Sequence, residues 1–434
     1  MNWYGHLPNG WQTRKIRELF SERNEKVSDN DYQALSVSKH GTVPQLENVA
    51  KTLNGDSRKL VRKGDYAINS RSDRKGSSGL SQHDGSISLI NIVLTPRNEI
   101  LGRFAHYILR SHYFIEEFYR NGRGIVSDLW TTRYSEMRTI ILPLPPLEEQ
   151  AQIVSWLDWQ NSCIAKYIRA KKREIECLRE LRKTIISKTV TKNCSDWETK
   201  RTIAMFSFSR GQSISRYDMR ASGIPCIHYG DIHGHCAFEV DPSKHKLGYV
   251  SEQQISGGKD TYLKYGDFLF CGSSEDLDGS GNFAYFNSNA IAVAGTDTIR
   301  LRAMYPINHR FIAYLFDSQS FREQIRRQVN GVKVYHPTQA IIKRTVLTLP
   351  PLPIQETIVA YLDEQCTSID TLISKHTQEI NLLVEYKVRI VSDAVTGKID
   401  LGGVDIPDFE SESKIDGIAD TSELEEVDGG YADG

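Results

Sequence analysis

The strongest constraint on this chain is that it contains one segment twice. Residues 145–191, PPLEEQAQIVSWLDWQNSCIAKYIRAKKREIECLRELRKTIISKTVT, align without a gap with residues 350–396, PPLPIQETIVAYLDEQCTSIDTLISKHTQEINLLVEYKVRIVSDAVT. The offset is a constant 205, and 19 of 47 positions are identical. Fainter echoes lie upstream: Trp11-Gln12-Thr13 faces Trp197-Glu198-Thr199, and KGDYAINS at 63–70 faces YGDFLFCG at 265–272. A repeat of this length means two supersecondary units of one kind. The chain divides into a block 1–144, a repeated segment 145–192, a block 193–349, a repeated segment 350–400 and a tail 401–434.

Each repeated segment predicts one long helix. Pro-Pro stands at its start, where a missing donor costs least, and Glu148 and Glu149 suit the positive end of the first copy. The second copy has Pro353 and Ile354 there instead. Positions alternately three and four apart form a seam: Leu157, Asn161, Ile164, Ile168, Lys171, Ile175, Leu178, Arg182 and Ile185. In the second copy the same positions are Leu362, Cys366, Ile369, Ile373, His376, Ile380, Leu383, Lys387 and Ile390. This is a coiled-coil pattern with polar breaks at matching places. From Leu157 to Val190 such a helix is about 50 Å long, and its repetition with an entire block between the copies favours a rigid spacer over an ordinary helical hairpin.

The two blocks are mixed. Tyr66-Ala67-Ile68, the run from Ser86 to Leu94, and Asp267-Phe268-Leu269-Phe270 read as strands between Gly, Ser, Asn and Asp turns. Helical patterns follow at 101–119 and 308–329, each ending near an Asn-Gly (121–122 and 330–331). The fold class expected is α+β, each block built on a twisted sheet.

The formal net charge of −1 conceals an asymmetry. The tail 401–434 holds eleven acids against Lys414, a net of −10, which leaves +9 on residues 1–400. A basic body suits a polyanionic partner, and the Gly-, Ser- and acid-rich tail is expected to be disordered. Seven cysteines without a CxxC pair argue against a disulfide framework or a zinc ribbon. MNWYGHLPNGWQ lacks the basic start and apolar stretch of a signal peptide, and no apolar run is long enough for a membrane span. A cytoplasmic protein without a membrane partner is expected.

Catalytic signatures are missing: no GxxxxGK[ST], NPP[FY], HExxH or GxSxG occurs. Two fragments imitate chemistry. Pro407-Asp408 with Glu412-Ser413-Lys414 spells a PD…ExK nuclease string, but in a flexible acidic stretch that cannot fix a metal. Cys226, His228, His233, His235 and Cys236 offer five metal donors, yet PCIHYGDIHGHC reads as strand, turn and second strand start, with alternate side chains on opposite faces. Neither a catalytic residue nor a metal site is expected.

The motif LPLPPLEEQ-x-x-IV-x-x-LD at 142–158, its second copy LPPLPIQETIVAYLD at 349–363, and the closing ISKTVT and VSDAVTGKI resemble the specificity subunit of type I restriction–modification enzymes. The order of block, helix, block, helix is that family's layout. The resemblance implies two target recognition domains related by a pseudo-two-fold axis, separated by two long antiparallel coiled-coil helices. It implies a non-catalytic subunit that binds double-stranded DNA and dictates a bipartite recognition sequence for methylation and restriction. The implied partners are two modification subunits and restriction/translocase subunits, and S-adenosylmethionine, ATP and magnesium would belong to those partners, with no cofactor in this chain. The alternative is an enzyme, a nuclease or methyltransferase with an unrecognised site. A coiled-coil adaptor without nucleic acid would leave the charge of the body unexplained.

Candidate DNA-binding residues lie in polar loops whose small residues let a backbone approach DNA. In the first block these are Ser38, Lys39 and His40 before Gly41, then Asn69, Arg71, Arg74 and Lys75 after the Gly-Asp strand. In the second they are His228, Tyr229 and His233, Ser273 and Ser274 after the Gly-Asp strand, and Lys333, Tyr335 and His336.

Overall fold

The computed structural model describes residues 2–39, 41–45, 55–124, 130–192 and 196–409. Each copy of the repeated segment is a single helix of 44 residues, Leu147–Val190 and Leu352–Val395, or about 65 Å at 1.5 Å per residue. The described residues form two units, those up to 172 with 376–409, and those within 173–375. The division falls inside both long helices.

In the first unit the sheet runs in the order Phe20–Glu22, Asn91–Pro96, Tyr66–Asn69, Ser78–Leu80, all antiparallel. A smaller sheet holds Lys26–Val27, Arg58–Val61 and Gly85–Ile87, and Leu35–Ser38 pairs with Gly41–Pro44 as a hairpin. Leu35, Val61, Ala67, Ile87 and Val93 form one buried cluster. Gln12–Lys15 pairs with Ile141–Leu144, so the block enters and leaves at one place.

The second unit repeats this order with Phe206–Arg210, Thr298–Ala303, Phe268–Cys271 and Phe283–Phe286, and adds Phe238–Val240 in parallel at the edge. Its closing pair is Glu198–Arg201 with Val346–Leu349. Its core is aromatic: Phe206, Phe268, Phe270, Phe283, Phe316 and Phe321 stack at ring-centroid distances of 4.6–6.2 Å. The shared strand order makes both units α+β domains of one topology.

The residues identical between the two segments have structural reasons. Fully buried Gln150 donates to the carbonyls of Pro145 (2.9 Å) and Glu99 (3.0 Å) and accepts from the Leu101 amide (2.8 Å). Gln355 donates to Pro350 (2.8 Å) and accepts from the Asn308 amide (3.3 Å). Each glutamine ties the start of its long helix to the domain beside it. Two turns on, Asp158 receives Arg103 and the Tyr107 hydroxyl, while Asp363 receives Arg310 Nε and the Tyr314 hydroxyl, both at 2.6 Å. Removing a carboxylate that holds two donors leaves both short of a partner. Asp363→Ala is therefore expected to destabilise the protein by about 2 kcal/mol, a figure kept low because the pair is partly solvated. A urea midpoint equal to that of the parent would show that the anchor contributes nothing.

The long helices run antiparallel within each unit. In the first unit Lys171 Nζ lies 3.2 Å from His376 Nδ1 and 3.3 Å from Glu379. In the second, Arg182 Nε lies 3.2 Å from Asp370. Lys171 and His376 are one position of the repeat, and equivalent positions of antiparallel copies meet where the copies cross. Leu157, Ile164, Ile168, Ile175, Leu362, Ile369, Ile380 and Ile390 are buried, and Leu178, Ile185, Ile373 and Leu383 are half-buried.

Three expectations need correction. The helical patterns at 101–119 and 308–329 are each two helices, Gly102–Arg110 with His112–Arg120 and His309–Asp317 with Gln319–Arg326. Ser111 and Ser318 sit at the joints with extended ψ angles of 145° and 146°, and each hydroxyl accepts the amide three residues on, Phe114 or Phe321, as an N-cap. The apolar periodicity continues across the joint because both helices bury one side. The run 86–94 is two strands in different sheets, parted at Ser88-Leu89-Ile90, where the Asn91 amide donates to the Ser88 carbonyl (3.0 Å). The 225–236 stretch contains a short helix, Tyr229–His233, and no strand begins at His235. Its N-cap bond, from the His228 amide to Asp231 Oδ2 at 2.8 Å, follows from the aspartate three residues on.

Of the predicted tail, Leu401 is buried and its carbonyl accepts from Gln152, whereas residues from Glu410 onward lie outside those described. The PD…ExK string therefore falls largely outside them. No helix among the described residues is long and apolar enough to cross a membrane.

Candidate nucleic-acid interface

In both units the loop after the Gly-Asp strand is stitched to the segment after the Asn-Gly. Arg71 pairs with Thr131 in the first unit, and Ser274 with Tyr335 in the second, each as an isolated antiparallel bridge. The second bridge is closed by two bonds, Ser274 amide to Tyr335 carbonyl (2.9 Å) and Tyr335 amide to Ser274 carbonyl (2.8 Å). The two sequences share nothing at these positions, so the feature belongs to the fold.

In the first unit, buried Asn69 ends the sheet strand, and its Oδ1 accepts from the Arg71 amide (3.1 Å), starting an Asx-type turn. Arg71, Arg74 and Lys75 are exposed on the turn that follows. Arg74 lies 3.9 Å from Asp73, and Lys75 meets Glu116 and lies over the Tyr119 ring. The Tyr119 hydroxyl donates to the Arg71 carbonyl (3.0 Å), and Trp130 Nε1 donates to the Tyr119 carbonyl (2.7 Å). Burial pushes the Tyr119 phenol up, so it stays a donor. Ser38 caps the Leu35–Ser38 hairpin through Oγ to the Gly41 carbonyl (3.3 Å), and Lys39 beside it is exposed. This hairpin abuts the turn strand: a Cβ on Gly79 would stand 2.7 Å from the Gly41 Cα. His40 lies outside the described residues.

Arg110, which the sequence did not single out, holds the two loops together. It donates to the Ser78 carbonyl with one arm and to the Lys39 carbonyl with the other, and burial lowers its pKa. Tyr119, Trp130 and Arg110 belong to the support of this surface.

In the second unit Tyr229 and His233 sit on the short helix and His228 is its N-cap, and the helix packs against the Gly-Asp strand. His233 Nε2 donates to the Ser273 carbonyl (2.8 Å), while Nδ1 accepts from Asn282 (2.9 Å). Tyr229 is exposed and edge-on to His233. Ser274 is buried, its hydroxyl donating to the Asp276 carbonyl (2.8 Å), and Ser273 is half-buried. Lys333 and His336 are exposed on either side of half-buried Tyr335. Thus 228–233, 272–282 and 331–336 converge, and in the first unit 38–39 and 41, 69–80, and 119–124 with 130–132 converge. Of the donors weighed for zinc, His233 is held between Ser273 and Asn282, His235 Nε2 lies 2.8 Å from the Lys246 carbonyl, and Cys226 and Cys236 are buried. Among the described residues no three His, Cys, Asp or Glu side chains gather as metal ligands.

The type I restriction modification DNA specificity domain matches this chain over residues 8–176 and again over 195–382. The type I restriction enzyme MjaVIII specificity subunit of Methanocaldococcus jannaschii is 22% identical over 280 residues, which is 60% of this chain and 62% of that protein's own length. A solved structure of a type I R-M system, described for its complex assembly and conformational transition, covers 91% of this chain and 100% of its own at a TM-score of 0.68 and 17% identity. The HsdS subunit from Thermoanaerobacter tengcongensis covers 91% and 98% at 0.50 and 18%. At these identities the two structures speak for the fold alone. The two matched stretches take in both domains and most of both long helices, and the chain belongs to the type I restriction modification DNA specificity domain family, whose domain it carries twice.

Proposed function

We propose that this chain is the sequence-specific, double-stranded-DNA-binding subunit of a type I restriction–modification complex. Residues 1–144 and 193–349 are its two target recognition domains, and 145–192 and 350–400 are the helices that space them. It dictates a bipartite, asymmetric recognition sequence for both methylation and restriction, and it scaffolds two modification subunits to which restriction/translocase subunits add. S-adenosylmethionine, ATP and magnesium act in those partners, in the cytoplasm. The observation that carries this reading is the loop bridge formed twice, Arg71 with Thr131 and Ser274 with Tyr335, in domains of a DNA specificity family. One chain with two such domains reads two different half-sites, as a dimer reads a palindrome, but with freedom for each half to diverge. Lysines and arginines supply affinity through phosphates, and side chains at base edges supply choice. An autonomous nuclease or methyltransferase is not favoured. Assaying the chain alone for cleavage and methyl transfer, and then with its modification partner for methylation, tests the division of labour. Activity in the chain alone would revive the enzyme.

The basic turn yields a quantitative expectation. Replacing Arg71, Arg74 and Lys75 together by alanine should weaken DNA binding of the assembled complex and flatten its salt dependence. Every side chain that neutralises a phosphate contributes about 0.9 to the slope of log K against log salt, and its removal lowers the slope by that amount. Lys75 already meets Glu116, so a fall of about two is expected rather than three. An unchanged slope with an unchanged methylation pattern would put this turn on a face away from DNA.

A further inference from the structure

The second unit contains a chain of hydrogen bonds that begins at the candidate reading loop and ends on the second long helix. The Ser273 carbonyl accepts from His233 Nε2 (2.8 Å), and His233 Nδ1 accepts from Asn282 Nδ2 (2.9 Å). Asn282 Oδ1 accepts from Arg322 Nη1 (2.7 Å), whose other arm, Nη2, donates to Asp317 Oδ1 (2.9 Å). Asp317 Oδ2 in turn accepts from Arg182 Nη1 (3.1 Å) on the first long helix, and Arg182 Nε faces Asp370 (3.2 Å) on the second.

The polarity of the chain leaves each link one orientation. A guanidinium only donates, so Arg322 obliges Asn282 to turn its oxygen inward and present its NH2 group to His233. An NH2 group only donates, so His233 Nδ1 must accept and the ring proton must sit on Nε2. That proton is then aimed at the Ser273 carbonyl. Reversing any link sets two donors face to face. The inner links are shielded, with Arg322 and Asp317 side chains 17% and 15% exposed, where such bonds are strong and unmade ones costly. The loop folds tightly onto this frame: a Cβ on Gly279 would stand 2.5 Å from Ser274 Oγ and 3.3 Å from His233 Cε1. The first unit solves the same problem differently, with Arg110 reaching the loop carbonyls directly.

We infer that Arg322 is a positioning residue for base selection in the second half-site. Through Asn282 and His233 it fixes the 273–282 loop, and through Asp317 and Arg182 it ties that loop to the helix pair. Arg322 itself does not touch DNA. The inference rests on the loop being a DNA-reading surface, as proposed above.

The test uses the assembled, methylating complex and a DNA library with single-base changes in either half-site. Arg322→Met keeps an unbranched apolar stem and removes both bonds. The expected result is that methylation of sites altered in the second half rises about tenfold relative to the cognate site, while selectivity in the first half is unchanged. The slope of log K against log salt should stay as in the parent, because every phosphate keeps its partner. A general loss of stability would lower methylation of all sites together and would not single out one half. Lys333→Ala with His336→Ala serves as the companion on the loop face. If that pair alters the second half-site and Arg322→Met does not, the positioning role is overturned and the reading surface stands. If neither variant changes selectivity or affinity, the reading surface itself is wrong and the inference falls with it. Should Arg322→Met fail to fold, Asn282→Ala, which cuts the link between Arg322 and His233 and leaves the Arg322–Asp317 pair in place, decides by the same ratio: relaxation confined to the second half supports the role, and parental selectivity overturns it.

Discussion

Exchanging residues 13–142 for the equivalent block of a relative is expected to change one half-site completely and leave the other half-site and the unread gap as they were. The cut points favour a clean exchange. Thr13 pairs with Pro143 and Arg14 with Leu142 in the strand pair that closes the block, so an incoming domain enters and leaves at adjacent positions. Gln150 and Asp158, which anchor the long helix to that block, lie outside the exchanged stretch; their partners Leu101, Arg103 and Tyr107 lie inside it. A donor block must therefore supply the same arginine and tyrosine one turn apart. Each mismatched base pair costs roughly 1–3 kcal/mol, so a new half-site differing at two positions should lower methylation of the old target by about 30-fold or more. An exchange that altered both half-sites would end the view of the blocks as separate readers.

The second large effect concerns spacing. Four residues inserted after Ala170 add about 6 Å of helix and turn the seam slightly beyond one full turn. The insertion falls beside Lys171, where the repeat meets its own copy at His376. With base pairs about 3.4 Å apart, the gap in the recognised sequence should lengthen by roughly one to two base pairs, both half-sites remaining the same. Full methylation of the original site with an unchanged gap would show that the helices do not set the distance.

Much of this was legible in the sequence where one residue type admits one physical role. The repeat predicted two equivalent helices because apolar positions spaced three and four apart can only line one side of a helix, and both helices are there. Trp11-Gln12-Thr13 and Trp197-Glu198-Thr199, read in the sequence only as an echo of the repeat, overlap the strands that open each block. The breaks at Ser111 and Ser318 escaped because periodicity measures burial, and a serine that caps a second helix does not disturb it. The run 86–94 escaped because two strands of different sheets joined by a tight turn carry the same β-formers as one long strand. The support of the candidate interface was invisible for another reason. Arg110 reaches Lys39 across 71 residues, and Arg71 meets Thr131 across 60, and no local pattern encodes such pairs. Only the order of elements is shared between the copies: Arg71 and Ser274 follow equivalent Gly-Asp strands, and Thr131 and Tyr335 follow equivalent Asn-Gly pairs at different distances.

On the proposed function, one chain reads two separate half-sites and leaves a gap between them. Mapping methylated adenines across DNA from cells that carry this gene with the proposed modification partner tests it most directly. The predicted result is a single asymmetric motif with two short specified halves and an unspecified stretch of constant length, methylated once in each half and lost when this gene is deleted. A continuous motif, or a pattern that survives the deletion, would contradict the account.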